Sequence, residues 1–251
     1  MTSSLAAVAA EFPAASVELR EGRELLRRVD TKFLCPREIA LDVVATLVGN
    51  YAALPTPGGN LATYRSLYFD TSDLRCYHDH RRGRRLRHKV RIRHYPEREL
   101  TYLEVKTKRN EAVTDKQRQQ LAFRAEHLGD GEQAFLAGVT DLPVHDLRPM
   151  MRIDFRRLSL VSLHSAERVT IDCDLVAATL DGAQWDAGDR VVVEVKQAPF
   201  CVRTPVMRAL LAHGQREQSM SKYTIATAFV RPELRKNRLL PALKAIERMA
   251  G

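Results

Sequence analysis

Hydrophobic and polar residues alternate with a period of two along several stretches of this chain, which is the period of β-strands. The clearest stretch runs from Arg84 to Lys108, with Pro96 and the polar residues after it in the middle. On each side of Pro96 the aliphatic residues share one face. The opposite face carries Arg87, Lys89, Arg91 and Arg93, and then Tyr102, Glu104, Lys106 and Lys108. The pattern predicts an antiparallel hairpin with one apolar and one charged face.

The same alternation recurs around Asp30 and Lys32, around Asp172, and around Glu194 and Lys196. For a single hairpin, a charged face exposed to water is the simpler interpretation. Recurrence in several strands favours an antiparallel β-barrel whose polar interior holds a ligand, with flanking helices and an α+β fold class. Because isolated buried charges are costly, such an interior needs an anionic guest, water or internal ion pairs.

Helical spacing separates the strands in several places. Apolar positions follow Pro36 at helical intervals, Thr204 is a suitable N-cap for a helix at Pro205, and residues 232–249 read as a closing helix. The segment with Lys116 and Arg118 fits either a strand or the start of a helix. Residues 1–17 are small and mixed, and we expect a flexible N-terminal lead-in there. Residues 18–251 are then predicted to form a single domain.

Composition narrows the class of partner. The 251 residues include 40 Lys and Arg against 31 Asp and Glu, a formal charge of +9, which favours an anionic partner without choosing one. The 4 cysteines are scattered with no C-x-x-C pair, so a structural zinc site has little support. No secretory signal and no membrane-spanning window are visible, so a cytoplasmic location is expected.

The charged faces supply enough cations for a chain of phosphates. One phosphate needs two or three basic groups, because arginine binds phosphate oxygens with a planar fork and lysine with a point charge. The cations on predicted inward faces are Lys32, Arg91, Arg93, Lys106, Lys116, Arg157, Arg168 and Lys196. This set suits a triphosphate or a longer chain and exceeds what a monophosphate requires.

Glu194 stands among these cations. A lone glutamate of this kind is more often a salt-bridge partner, but beside bound phosphates it could hold Mn²⁺ or Mg²⁺, which prefer carboxylate oxygens. Glu104 and Asp172 are better suited to orienting neighbouring cations. Neither a P-loop, nor G-x-G-x-x-G, nor H-E-x-x-H occurs, and phosphoryl transfer needs mainly positioning and charge neutralisation.

An ordered set of short motifs resembles a known family. The motifs are Arg28-x-Asp30-x-Lys32, Tyr68-Phe69-Asp70-Thr71, Lys89-x-Arg91-x-Arg93, Leu103-Glu104-Val105-Lys106, Val193-Glu194-Val195-Lys196 and Ser221-Lys222-Tyr223. Together they resemble the VTC domain, the polyphosphate polymerase branch of the triphosphate tunnel (CYTH-like) proteins. The resemblance spans about Leu25 to Val230.

The resemblance implies an antiparallel β tunnel flanked by helices that transfers the terminal phosphate of ATP to inorganic polyphosphate, typically with Mn²⁺ or otherwise Mg²⁺. It implies a metal-binding role for Glu194. The implied catalytic residues are Arg91, Arg93, Lys106, Arg157 and Lys196. The implied phosphate-binding residues are Lys32, Lys116, Arg168 and Lys222, with Ser221 as a hydrogen-bond donor.

This sequence departs from the family pattern at a few positions. Arg28 and Asp30 stand where triphosphatase members usually have E-x-E, which argues against the hydrolase branch, and Phe155 and Ser219 replace a tyrosine and a basic residue. The alternatives are a tunnel triphosphatase, and a non-catalytic binder of polyphosphate or nucleic acid based on the basic run 81–85. Nucleic acid is the less expected ligand, because the aromatic content is low and no stacking platform is visible. The sequence leaves the oligomeric state open.

Overall fold

A computed structural model of the chain describes residues 4–22, 28–109 and 114–248. Ten strands form one sheet in which every ladder between named strands is antiparallel. The strands are β1 (Val29–Pro36), β2 (Tyr51–Ala53), β3 (Leu61–Asp70), β4 (Arg87–Tyr95), β5 (Leu100–Lys108), β6 (Thr114–Leu121), β7 (Arg148–Ser162), β8 (Glu167–Thr179), β9 (Gln184–Asp186) and β10 (Arg190–Gln197).

Helices flank this sheet, which confirms the predicted α+β class. They are α1 (Leu5–Ala10), α2 (Val17–Glu21), α3 (Arg37–Ala45), α4 (Arg75–Arg82), α5 (Asp130–Val139), α6 (Pro205–Ala212), α7 (Lys222–Val230) and α8 (Leu240–Arg248). Within the described ranges, none of them is long and apolar enough to cross a membrane.

The strand order is β1-β10-β8-β7-β3-β4-β5-β6, with β2 and β9 paired to β7 and β8. Among the described residues no ladder joins β1 to β6, so the sheet is a tunnel with an open seam rather than a strictly closed barrel. The sheet must be strongly curled. In a flat sheet, β10 and β5 would lie about 24 Å apart, yet Glu194 of β10 raises the pKa of Lys106 of β5.

Alternation along each strand sends apolar side chains outward against the helices. Val90 and Ile92 of β4 and Val105 of β5 belong to a buried cluster that includes residues of α4, α5, α7 and α8. A second cluster packs Val193 and Val195 of β10 against α1, α3 and α6. Burial of both outer surfaces leaves the charged faces of the strands on the inside of the curl.

The N-terminal segment corrects one expectation. The described residues 4–17 are not a flexible lead-in, because α1 packs against α3 and Leu5, Val8 and Phe12 are buried. Ser4 caps α1 by accepting a hydrogen bond from the backbone N–H of Ala7. The apolar spacing of this short, Ala-rich segment was the overlooked signal. Residues 1–3 lie outside the described residues.

Two further elements differ from the sequence interpretation. Lys116 and Arg118 lie in β6, which resolves their ambiguity in favour of a strand. The closing helix is shorter than the predicted range 232–249, because α8 begins at Leu240 after a single 3-10 turn (Asn237–Leu239). Residue 249 lies outside the described residues.

Candidate functional site: a cationic tunnel

The antiparallel ladders place the predicted inward residues side by side. Arg91 pairs in register with Tyr68 of β3 on one side and with Glu104 of β5 on the other. On the far wall, Lys32 of β1 pairs with Glu194 of β10. Charged residues from both walls therefore face one hollow, in which the carboxylates Glu104, Asp172 and Glu194 are each held by two or more cations.

Glu104 is the first of these carboxylates, and it is only 2% exposed. Its Oε2 accepts hydrogen bonds from Nε and Nη2 of Arg91 at 2.8 and 2.6 Å, and its Oε1 lies 2.5 Å from Nζ of Lys116. Burial alone would raise the pKa of Glu104, but Arg91, Arg93 and Lys116 outweigh it and hold the pKa well below its ordinary value. Glu104 thus stays ionised and fixes the orientation of its cations.

Asp172 of β8 is the second carboxylate, and it is 1% exposed. Arg157 of β7 donates Nε and Nη2 to its two oxygens at 2.5 and 2.7 Å, and Lys222 at the start of α7 donates to Oδ2. Burial opposes ionisation, but both cations hold the pKa of Asp172 below its ordinary value. These contacts agree with the predicted role of Glu104 and Asp172 in orienting cations.

Glu194 is the third carboxylate and lies between two lysines. Its Oε1 is 3.1 Å from Nζ of Lys32, and its Oε2 accepts a hydrogen bond from Nζ of Lys196 at 2.5 Å. Although burial raises the pKa of Glu194, Lys196 and Lys32 bring it well below the ordinary value. Burial lowers the pKa of Lys196 to about 8 even though Glu194 opposes that shift.

This arrangement bears on the expected metal ion. In the described part of the chain, no three or more His, Cys, Asp or Glu side chains group as a metal site. Ions such as Mg²⁺ are commonly bound by one or two carboxylates together with substrate phosphates and water. The donor set therefore fits an ion held by Glu194 and by phosphate oxygens, and it does not fit a site built from protein ligands alone.

Lys89 of β4 and Lys106 of β5 lie side by side in register in the tunnel. Among the described residues, neither ammonium group has a hydrogen bond or an ion pair. Burial and the neighbouring cations Lys106, Lys32 and Arg91 lower the pKa of Lys89 well below its ordinary value. Nearby, burial and Lys89 lower the pKa of His80 in α4 to about 2, so this imidazole is neutral.

Lys89 is missing from the set of site residues predicted from the sequence. Lys89, Arg91 and Arg93 occupy alternate positions along the same strand, and this spacing could have predicted the place of Lys89 in the site. The structure also places Tyr68 in the site, where its hydroxyl accepts a hydrogen bond from Nη1 of Arg91 at 2.9 Å. Its ring stacks on Tyr223, which follows Lys222 in α7.

Aromatic rings gather near Arg93, which corrects the expectation that no stacking platform exists. Phe155 stacks on Tyr64 with ring centroids 5.1 Å apart, and Tyr95 meets Tyr64 edge-on at the same distance. The guanidinium group of Arg93 lies over the rings of Tyr64 and Phe155, at 5.0 and 5.6 Å. The rings come from separate strands, which is why low overall aromatic content concealed them.

Arg168 and Ser221 are the remaining predicted residues. Arg168 of β8 is half-buried and pairs in register with Lys196. Ser221 is the N-cap residue of α7, directly before Lys222. The structure thus brings the predicted charged residues to one hollow and places Ser221 next to one of them in the chain, while the individual roles of these residues stay predictions.

A curled antiparallel sheet with cations converging from both walls defines a triphosphate-tunnel fold. The sequence profile of the VTC domain matches residues 27–231, so the chain belongs to the VTC domain family, as its motifs indicated. This assignment places it among enzymes that act on triphosphates.

A solved structure with a TM-score of 0.50 shows the fold at low sequence identity, and others are similar to this chain. A putative adenylate cyclase from Bacillus halodurans is 13% identical, with a TM-score of 0.50 over 77% of this chain and 93% of its own. A putative adenylyl cyclase from Hippeastrum, described as having a dominant triphosphatase activity, is 15% identical, with a TM-score of 0.43 over 83% of this chain and 97% of its own. No curated protein matches the chain significantly.

Proposed function

We propose that this protein is a metal-dependent polyphosphate polymerase that transfers the γ-phosphate of ATP to a growing chain of inorganic polyphosphate. The observation that carries the proposal is the excess of cations in a tunnel whose carboxylates are already paired. The cations are Lys32, Lys89, Arg91, Arg93, Lys106, Lys116, Arg157, Lys196 and Lys222, and the carboxylates are Asp30, Glu104, Asp172 and Glu194. A chain of several phosphates is the ligand that balances this excess.

The tunnel residues bind and position the reacting groups. Arg91 and Arg157 present planar forks that carboxylates already hold in place, so little reorganisation is needed when phosphate oxygens arrive. Lys106 and Lys196 add point charges that stabilise the negative charge on the transferring phosphoryl group. When bound, Mn²⁺ or Mg²⁺ on Glu194 would neutralise further charge on the phosphate oxygens. The terminal oxygen of the polyphosphate chain attacks the γ-phosphorus, and ADP leaves.

The state of the carboxylates supports transfer over hydrolysis. A water nucleophile benefits from a general base, whereas the terminal phosphate of polyphosphate is already ionised. Ion pairing holds the pKa values of Glu104, Asp172 and Glu194 below their ordinary range, which makes them weak bases. His80, with its pKa lowered to about 2, is also a weak base.

The test is incubation of the purified protein with ATP and Mn²⁺, followed by gel separation of the products. We expect a ladder of polyphosphate that is absent for Arg91→Ala with Arg93→Ala. A matched control removes two exposed arginines outside the tunnel, Arg20→Ala with Arg208→Ala, and should keep the ladder.

Other outcomes would decide between the alternatives. Release of ADP and free phosphate without polymer would replace the polymerase with a tunnel triphosphatase. Tight RNA binding with a steep dependence on salt and no turnover would replace it with a non-catalytic binder. The basic run proposed for such binding is only partly available, because Arg81 is buried while Arg82, Arg84 and Arg85 are exposed.

A further inference from the structure

The two ends of the tunnel carry different chemistry. Along β4 the inward positions run from Lys89 to Tyr95, a distance of about 20 Å at the usual rise of a strand. The Lys89 end is cationic, since Lys106 lies beside it in register and Arg87 comes just before it. At the Tyr95 end, next to the turn that joins β4 to β5, aromatic rings replace the lysines.

The aromatic end contains rings that solvent still reaches. Tyr95 meets Tyr64 edge-on with centroids 5.1 Å apart, and Tyr102 of β5 meets Tyr95 edge-on at 6.1 Å. All three tyrosines are half-buried rather than buried. The exposed guanidinium group of Arg118 lies 4.9 Å from the centroid of the Tyr102 ring. An electron-rich tyrosine ring with a cation beside it is a surface on which a nucleobase stacks.

Contacts connect these rings to Arg91 and Arg93, the arginines proposed to bind phosphate. The hydroxyl of Tyr95 donates to Oε1 of Glu104 at 3.4 Å, and Glu104 also holds Arg91. Arg93 pairs in register with Tyr102. Its Nε donates to Oγ of Ser66 at 2.9 Å. If the phosphates of a ligand bind to these arginines, the group attached to one end of the phosphate chain would lie at the rings, and the other end of the chain would lie at the lysines.

We propose that the aromatic end is a nucleoside subsite, in which the base of a nucleoside triphosphate stacks on Tyr102 beside Arg118 and Tyr95. The triphosphate then points along the tunnel toward Lys106 and Lys89, and the growing polyphosphate occupies that cationic end. This gives the tunnel a direction, with the nucleoside diphosphate leaving from the aromatic end. The proposal rests on the proposed function, because it requires a triphosphate in the tunnel.

The test compares two ligands that differ by the nucleoside. Titration calorimetry measures the binding of ATP and of inorganic triphosphate to the wild-type protein and to Tyr102→Leu. Loss of one stacking partner should weaken ATP binding about tenfold and leave the binding of inorganic triphosphate nearly unchanged. Tyr102→Phe keeps the ring and should keep ATP binding. Phe200→Leu, at an exposed ring in the loop after β10, is the matched control and should alter neither ligand.

Three outcomes would overturn the subsite. One is equal weakening of both ligands in Tyr102→Leu, which would mean that the ring supports the tunnel wall instead. Another is that Tyr102→Leu binds both ATP and inorganic triphosphate as tightly as the wild type does, which would contradict the subsite but not the proposed function. A wild-type protein that binds neither ligand would overturn both proposals. Arg118→Gln provides a second variant on an exposed side chain, and it should also weaken ATP selectively if the base stacks there.

Discussion

Arg91 donates two hydrogen bonds to a single oxygen of Glu104, and this pair connects the neighbouring strands β4 and β5 inside the tunnel. The carboxylate is 2% exposed, so it depends on its cations for compensation. The pair keeps the guanidinium group facing the hollow before any phosphate arrives. Binding of a phosphate chain then adds negative charge to an arginine that is already oriented.

Removing Arg91 should therefore affect both activity and stability. In Arg91→Ala, Glu104 keeps Lys116 at 2.5 Å and loses both hydrogen bonds that Arg91 donates. We expect no polyphosphate ladder and a free energy of unfolding lowered by about 3 kcal/mol, since a buried carboxylate is left undercompensated. Urea unfolding and the product gel measure the two effects separately.

A double variant separates these two roles of Arg91. Arg91→Ala combined with Glu104→Gln removes the undercompensated charge and should recover most of the lost stability without recovering synthesis. If the double variant were as unstable as Arg91→Ala alone, the ion pair would not be the source of the loss.

Acid should destabilise the fold through the paired carboxylates. Asp172 and Glu104 both have folded pKa values below those of an unfolded chain, so their stabilisation is present above about pH 4.5 and is lost as the pH falls further. We expect the free energy of unfolding to decrease below about pH 4.5. Asp172→Asn should be less stable at neutral pH and should show a shallower acid dependence. Urea unfolding between neutral and acidic pH tests this, and an unaltered slope in Asp172→Asn would contradict it.

Binding of a polyanion should draw protons into the tunnel. Burial and neighbouring cations lower the pKa of Lys89 strongly, and burial lowers that of Lys196 to about 8. An anion beside them favours the charged ammonium forms, so both pKa values rise on binding. Triphosphate should therefore bind with proton uptake near pH 8, and affinity should fall as the pH rises above that value.

Calorimetry in buffers of different ionisation enthalpy measures this uptake directly. Lys89→Met should reduce the number of protons taken up, and Lys196→Arg should reduce the loss of affinity above pH 8 because arginine stays charged. Lys244→Met changes an exposed lysine of α8 and should leave both quantities as in the wild type. Heats that do not depend on the buffer would contradict the prediction.

Local periodicity was sufficient to predict the faces of the central hairpin. Arg91, Arg93, Glu104 and Lys106 share the inward face because side chains of an extended chain alternate whatever packs around them. The acidic partners could likewise be anticipated, since cations gathered in one place need compensation. The ordered motifs then gave the family and the α+β tunnel.

Partners from distant parts of the sequence could not be predicted in this way. Periodicity does not say that β1 pairs with β10, which brings Lys32 to Glu194, or that Lys222 reaches Asp172 from a helix. The grouping of Tyr95 and Tyr102 with rings of other strands depends on the same long-range ladders. Such contacts arise from the pairing and curling of strands that are distant in the sequence, and no short window of sequence contains them.

Glu194 provides the remaining prediction, which concerns the metal ion. Since its oxygens are held by Lys32 and Lys196 and no multi-ligand cluster occurs in the described residues, Mn²⁺ should bind only when phosphates share the coordination. In thermal unfolding, Mn²⁺ alone should leave the midpoint unchanged, triphosphate should raise it, and the two together should raise it further. In Glu194→Gln, triphosphate should still raise the midpoint, but adding Mn²⁺ to it should have no further effect. Glu233→Gln, at an exposed position, should keep the further rise with Mn²⁺. A midpoint raised by Mn²⁺ alone, or an increment that survives Glu194→Gln, would show that the ion is held elsewhere.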